Sequence, residues 1–170
     1  MSPSRDRVLR IPAHSRLILG SLLLAYLIAL LPWSGLALNL EPDWVLLVLI
    51  HWWLREPWRV GQGAGFLAGL LMDIAQTGTL GIHALAYSMV AWLTFRLRPR
   101  LLGFAPAPQA PQILPMLVLA RVAATLAALA TGSGAPAWTY LAACLIDMLA
   151  WVPITLLLHD QDLKRSHPSP

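Results

Sequence analysis

Four ionisable side chains lie in or beside apolar stretches of this 170-residue chain and are the first candidates for chemistry. They are Asp73, His83, Arg121 and Asp147. A charged residue at the centre of a membrane-spanning helix costs about 2.5–3.5 kcal/mol on insertion scales, so it is expected to face protein or water rather than lipid. Asp73 lies near the end of its apolar stretch, which leaves an interfacial position as the alternative interpretation.

Asp73 and His83 flank a compact turn, Gln76-Thr77-Gly78-Thr79, between two apolar segments. If these segments form a helical hairpin, both side chains lie near the same membrane face. We therefore predict a hydrogen bond between them. The alternative is that His83 faces water at the membrane interface.

Arg121 and Asp147 lie well inside the last two apolar segments. At 1.5 Å per residue, their depths from the same membrane face are about 12 Å and about 16 Å. Segments joined by a short turn are usually neighbours, so we predict an Arg121–Asp147 ion pair that holds two helices together. On this interpretation, exchanging the two charges should recover part of the stability that either alanine variant loses. A charge relay or a substrate contact is the functional alternative.

A row of glycines precedes Asp73. Gly61, Gly65 and Gly69 recur at every fourth residue and Asp73 is the next step, so all four lie on one face of a helix. Because glycine has no Cβ, such a face lets a second helix approach closely in lipid. The row predicts either helix packing inside this chain or an interface with the helix of a separate protein.

The composition indicates a membrane protein without a soluble catalytic domain. The chain is 58% hydrophobic and 12% charged, which is about half the charged share of soluble domains. Its net charge of +4 comes from basic residues at segment ends, a pattern that argues against nucleic-acid binding. We find no Ser-His-Asp set, phosphate-binding loop or metal-ligand spacing, and the single cysteine, Cys144, lies in an apolar segment. We therefore predict a non-enzymatic protein without cofactor or metal.

The apolar segments predict an all-α integral membrane protein with six transmembrane helices within residues 17–158. Residues 1–16 and 159–170 are then its tails. Every Lys and Arg except Arg121 lies in a tail or in the second or fourth turn, all on one side of six crossings. By the positive-inside rule, both termini are cytoplasmic. The first segment also has weak features of a signal peptide, but an uncleaved helix is the more economical interpretation.

Two stretches are less regular. Residues 44–54 are short for a span, so a thin span and a re-entrant hairpin are both possible. His51 and the Trp52-Trp53 pair, near the end of this stretch, are interpreted as interfacial. Residues 103–112, GFAPAPQAPQ, have no apolar periodicity, and their prolines predict an extended connector.

Four short motifs occur in order in the first half of the chain: Pro42-Asp43, Arg55-Glu56-Pro57-Trp58-Arg59, Gly69-Leu70-Leu71-Met72-Asp73 and Leu80-Gly81-Ile82-His83-Ala84-Leu85. Together with the chain length and the pattern of apolar segments, they resemble the MreD family of the bacterial rod-shape machinery. The second half of the chain matches that family only as apolar spans.

The resemblance implies a scaffold of the cell-elongation complex in the bacterial inner membrane. Its implied partners in peptidoglycan synthesis are MreC, the MreB filament, and the RodA-type glycosyltransferase with its transpeptidase. Membrane lipid is a further expected partner, and nucleic acid is not expected. The family also resembles the substrate-binding subunits of vitamin transporters in architecture, so a small-molecule transport subunit is the alternative function. In that case Asp73, His83, Arg121 and Asp147 would line a polar cavity.

Overall fold

The computed structural model of the chain describes residues 13–32, 40–76, 79–132 and 138–166. These ranges contain six α-helices and no β-strand, which confirms the predicted all-α class for this part of the chain. The helices are α1 (Ala13–Ala29), α2 (Trp44–Arg55), α3 (Gly63–Ala75), α4 (Ile82–Leu101), α5 (Pro106–Ala130) and α6 (Trp138–Ser166).

The short helix α2 is the centre of the bundle. Every residue from Val45 to Leu54 is buried, because α1, α4 and α6 pack around this helix. A helix that is apolar on all sides must be covered on all sides. Its 12 residues extend over about 18 Å, which is less than the roughly 30 Å core of a bilayer.

His51 and the Trp52-Trp53 pair, predicted to be interfacial by their position, are buried among the helices of the bundle. Their exposed fractions are 2%, 1% and 0%. The Trp52 indole N–H donates to the hydroxyl of Ser21 in α1 at 2.9 Å. Because α1 begins at Ala13, about 12 Å before Ser21 along its axis, it extends well past this end of α2. The longer helix α1 therefore covers this end of α2.

The other helices pack largely in chain order. α3 and α4 form a closely packed hairpin, α4 packs against α5, and α5 against α6. A hydrogen bond from the Tyr26 hydroxyl to the Ala68 carbonyl joins α1 to α3. Sequential packing places the segment ends that carry Asp73 and His83 side by side, and it makes the helices of Arg121 and Asp147 neighbours.

Helix α5 begins earlier than the sequence analysis predicted. Residues 103–112 were expected to be an extended connector, but helix begins at Pro106. Pro106 and Pro108 fall in the first helical turn, where backbone N–H groups have no partner within the helix, so proline is tolerated there. The buried side chain of Gln109 donates to two carbonyls at the end of α4 and in the following turn, at 3.0 and 2.8 Å. These bonds close the α4–α5 connection.

The first and last helices of the chain are also longer than their apolar stretches. α1 begins at Ala13, inside the predicted tail of residues 1–16, and α6 continues to Ser166, inside the predicted tail of residues 159–170. Apolar periodicity detects only the part of a helix that must be shielded from water. A polar turn that continues the same helix gives no such signal.

Large apolar side chains cover the outside of the bundle, and several ionisable side chains lie within it. Leu19, Leu67 and Leu149 are 62–68% exposed, whereas Asp73 and Asp147 are each 1% exposed. This distribution is typical of a protein whose outer surface faces lipid. Among the described residues, one helix, α5, is both long and apolar enough to cross a membrane, and several shorter helices are apolar.

Candidate functional site

The carboxylate of Asp73, near the end of α3, caps the N-terminus of α4. Its Oδ2 accepts the backbone N–H groups of Gly81 at 2.8 Å and Ala84 at 3.3 Å, and its Oδ1 accepts that of His83 at 2.8 Å. The first N–H groups of a helix have no partner within it and form the positive end of its dipole. Gly81 has a φ of 104°, a left-handed conformation that favours glycine, and this brings its N–H to the carboxylate.

The predicted hydrogen bond between Asp73 and His83 is present. Nδ1 of His83 lies 2.8 Å from the same Oδ1 that accepts its backbone N–H. An ionised carboxylate only accepts, so we assign the ring proton to Nδ1. His83 is 20% exposed and Asp73 is 1% exposed. The pair therefore lies inside the protein, which favours the predicted hydrogen bond over a water-facing His83.

The glycine row packs against α4 of the same chain. A Cβ at Gly69 would lie 2.5 Å from backbone atoms of His83 and Ala84, and a Cβ at Gly65 would lie 3.0 Å from Trp53 and from the Tyr87 carbonyl. Gly65 and Gly69 thus follow the first of the two predicted alternatives, packing inside the chain.

Gly61, the first member of the row, differs from the other two glycines. A Cβ at Gly61 would meet nothing within 4 Å, and this residue precedes α3. α4 therefore covers the predicted glycine face of α3 at Gly65 and Gly69, where a partner helix would otherwise pack.

Arg121 and Asp147 form the predicted ion pair between α5 and α6. Nη2 of Arg121 lies 3.1 Å from Oδ2 of Asp147, and the two side chains are 8% and 1% exposed. The same Nη2 donates to the carbonyl of Glu41 at 3.1 Å, and Oδ1 of Asp147 accepts the backbone N–H of Asp43 at 2.7 Å. The ion pair therefore fastens the segment before α2 as well as two helices, which the sequence analysis did not predict.

Asp43 and Tyr87 belong to the same polar network, and the sequence analysis assigned neither of them a role in it. Oδ1 of Asp43 caps α2 by accepting the backbone N–H of Leu46 at 3.0 Å, and it also accepts the hydroxyl of Tyr87 at 2.6 Å. An aspartate just before an apolar run is a helix-capping signal, so this part of the network was open to prediction. Tyr87 lies one helical turn after His83 and faces the same way.

A small cavity separates the Asp73–His83 pair from the Arg121–Asp147 pair. Its volume is about 10 Å³, and it is lined by Asp43, His83, Ala86, Tyr87, Ala120, Arg121 and Ala124. A cavity of about 10–15 Å³ holds one water molecule. The structure thus brings the four predicted ionisable residues to one region of the bundle, where they bond to neighbouring groups around a space that fits a single water.

The arrangement is suited to holding helices together. Each carboxylate of the network accepts backbone N–H groups at the start of a helix or beside one, and the guanidinium group bridges a carbonyl and a carboxylate. Within the ranges that the structure describes, no cluster of three or more His, Cys, Asp or Glu side chains could hold a metal ion.

Two comparisons with known proteins point to one family. The family model described as rod shape-determining protein MreD matches residues 14–160. A curated protein named rod shape-determining protein MreD, from Haemophilus influenzae, is 41% identical over 71 residues, which are 42% of this chain and 44% of that protein. No solved structure matches the chain. Because the family model covers nearly the whole sequence, the chain belongs to the MreD family of rod shape-determining proteins.

Proposed function

We propose that the chain is a non-enzymatic scaffold of the cell-elongation machinery in the bacterial inner membrane. It crosses the membrane six times with both termini in the cytoplasm, and it joins the MreB filament and MreC to the RodA-type glycosyltransferase and its transpeptidase. Membership of the MreD family supports a role in rod shape. The observation that carries the scaffold interpretation is that the buried ionisable groups bond to one another and to backbone groups around the cavity beside Arg121.

A transport subunit needs a polar cavity that admits its substrate. Small-molecule sites commonly have volumes of about 300–1,000 Å³, and the polar cavity here has about 10 Å³. The carboxylates of Asp73 and Asp147 already accept hydrogen bonds on both oxygens. These contacts favour a structural role for the intramembrane charges and oppose the transporter alternative.

A scaffold binds its partners through outward-facing surfaces. Since α4 fills the glycine face of α3, a single-span partner would lie on exposed apolar faces instead. Leu67 in α3, Leu126 in α5 and Leu149 in α6 are 61–68% exposed and represent three such faces. A rigid bundle in which Arg121 and Asp147 fix three chain segments would hold these faces at constant angles and so position the wall-synthesis enzymes.

Co-purification from the native membrane in mild detergent, followed by mass spectrometry, tests the proposal. We expect recovery of MreC with MreB and the wall synthases. Recovery of paired ATPases with an energy-coupling membrane subunit would overturn the proposal and establish the transporter function.

A photo-reactive residue at position 67, 126 or 149 would then show which face contacts each partner. The same residue at Val90, which is 0% exposed, is the matched control and should give no cross-link to a partner. Cross-links from Val90 but from none of the exposed positions would contradict docking on the outer faces.

The proposed topology has its own test, because the chain has a single cysteine. In a Cys144→Ala background, Trp58→Cys and Gln76→Cys place one thiol in each of two exposed turns. With six crossings, a membrane-impermeant maleimide added outside the cell labels position 76 and leaves position 58 unlabelled. Labelling of position 58 in intact cells would exclude this topology.

A further inference from the structure

A second cavity, unrelated to the polar network, is lined by residues of α1, α2 and α6. It is a groove of about 430 Å³, within the range of small-molecule sites. The residues of α1 that line it recur along one helical face: Arg16, Leu17, Gly20, Ser21, Leu24, Ala25 and Ile28. Leu157 and Ile154 of α6 form the opposite wall, and Trp44 and Val48 of α2 line it as well.

The length of the groove fits a single hydrocarbon chain. From Arg16 to Ile28 the groove follows α1 for about 18 Å, close to the roughly 15 Å depth of one membrane leaflet. The length of the groove therefore matches one acyl chain that lies along α1 within one leaflet.

The groove has one cationic end and is otherwise largely apolar. Arg16 is exposed there and has no ion-pair partner among the described residues. The hydroxyl of Ser21 donates to the Ile18 carbonyl and accepts from Trp52, so its hydrogen bonds are made inside the protein. Arg59, which donates to the Ser15 hydroxyl at 3.4 Å, is already ion-paired with Glu56 at 3.0 Å, so Arg16 supplies the charge at this end. A ligand with one long apolar chain and an anionic head complements both parts.

We propose that this groove binds one acyl chain of an anionic phospholipid from the cytoplasmic leaflet, with the phosphate of the headgroup on Arg16. The site rests on the proposed topology, which places Arg16 on the cytoplasmic side, and it is independent of which proteins the bundle binds. A lipid held there fills the space between α1 and α6, two helices that otherwise make sparse contact. It therefore couples the packing of α1 to the composition of the inner leaflet.

Two substitutions separate the headgroup contact from the chain contact. Arg16→Gln removes the cation and leaves the groove open. Gly20→Phe fills the groove, and the backbone tolerates it because a Cβ at Gly20 meets nothing within 4 Å. The matched controls are Arg100→Gln, an exposed arginine on the same proposed side, and Leu19→Phe, the neighbouring residue, which is 68% exposed and does not line the groove.

The experiment is native mass spectrometry of the full chain in detergent with equal amounts of phosphatidylglycerol and phosphatidylethanolamine that carry identical acyl chains. We expect one retained lipid with a preference for phosphatidylglycerol. Arg16→Gln should reduce that preference about fivefold, the factor that about 1 kcal/mol per basic residue near an anionic surface gives. Gly20→Phe should lose both lipids, and both controls should behave as the parent chain.

Two results would overturn the lipid site. The first is retention of lipid by Gly20→Phe at the level of the parent chain. The second comes from a photo-reactive residue in place of Leu24, which lines the groove. A cross-link from this position to a protein rather than to lipid, in native membranes, would assign the groove to a protein partner. Neither result depends on the co-purification experiment, so the scaffold proposal and the lipid proposal fail separately.

Discussion

One carboxylate oxygen of Asp73 accepts two hydrogen bonds from His83, at 2.8 Å from its backbone N–H and at 2.8 Å from its ring Nδ1. The other oxygen accepts from Gly81 and Ala84. Only one of these four bonds needs the histidine side chain. The main partner of Asp73 is therefore the N-terminus of α4, and the imidazole is an addition to that cap.

The two residues are thus expected to differ in their importance for stability. Asp73→Ala leaves three N–H groups and the His83 ring without an acceptor, and we expect it to lower the free energy of unfolding by about 3 kcal/mol. His83→Ala keeps the three backbone bonds and should cost about 1 kcal/mol. The fluorescence of the eight tryptophans during thermal unfolding in detergent provides the measurement. An equal loss in the two variants would contradict the capping role.

The glycines of α3 give a graded prediction. Gly69→Ala puts a Cβ 2.5 Å from backbone atoms of α4, which cannot move aside easily, so we expect a loss of about 3 kcal/mol or failure to fold. Gly65→Ala contacts Trp53 and a carbonyl at 3.0 Å and should cost about 1–2 kcal/mol. Gly63→Ala, where a Cβ meets nothing within 4 Å, is the control and should cost nothing. A partner-facing row would instead leave stability unchanged in the Gly65 and Gly69 variants and reduce co-purification of the partner.

The helical class and both polar pairs follow from the sequence because each depends on local information. Apolar segments separated by short turns place consecutive helices side by side, and a buried charge needs a partner. Asp73 and His83 lie across one turn, and Arg121 and Asp147 lie in consecutive helices. Chain order alone was therefore enough to pair them.

The contacts that sequence reasoning missed join parts of the chain that are distant in sequence. Asp43 precedes α2, yet it bonds to Asp147 in α6 and to Tyr87 in α4. Nothing in the local pattern around residue 43 specifies which helices surround α2. The burial of Trp53 also depends on parts of the chain that are distant in sequence. Trp53 lies near the end of a short helix, and it is covered because neighbouring helices extend beyond that end. Non-local packing of a central helix has no periodic signature in one sequence.

The polar network also changes the expected result of a charge exchange between Arg121 and Asp147. The sequence alone predicted a partial rescue. In the structure, a carboxylate at position 121 would face the Glu41 carbonyl, and a cation at position 147 would face the Asp43 backbone N–H. Both new contacts are repulsive, so the exchanged variant should be no more stable than either single alanine variant.

A neutral pair is the better test of the Arg121–Asp147 interaction. Arg121→Gln alone leaves a buried unpaired carboxylate, and Asp147→Asn alone leaves a buried unpaired guanidinium, each expected to cost about 3–5 kcal/mol. The double variant Arg121→Gln/Asp147→Asn buries no charge at these two positions and keeps a side-chain oxygen for the Asp43 N–H. We expect it to unfold at a higher temperature than either single variant. Additive losses in the double variant would mean that the two charges do not interact.

Glu41, in the segment between α1 and α2, makes stability depend on pH. Its Oε1 is buried and has no hydrogen-bond partner among the described residues. Burial first and the nearby Asp43 carboxylate second raise the pKa of Glu41 from 4.5 to about 7, against an opposing effect of Arg121. Between these two values the folded state binds more protons than the unfolded state. The contribution of Glu41 to the free energy of unfolding therefore falls as pH rises from about 4.5 to about 7 and is constant above that.

Glu41→Gln isolates this contribution, because it removes the titrating group and keeps the backbone carbonyl that accepts from Arg121. Since the carboxyl group is partly exposed and screened by solvent, we expect the variant to be more stable than the parent by about 1 kcal/mol at about pH 8. The two proteins should be nearly equal in stability at about pH 5. Thermal unfolding of both chains across this pH range measures the difference, and a difference that does not change with pH would show that Glu41 is ionised in the folded protein throughout.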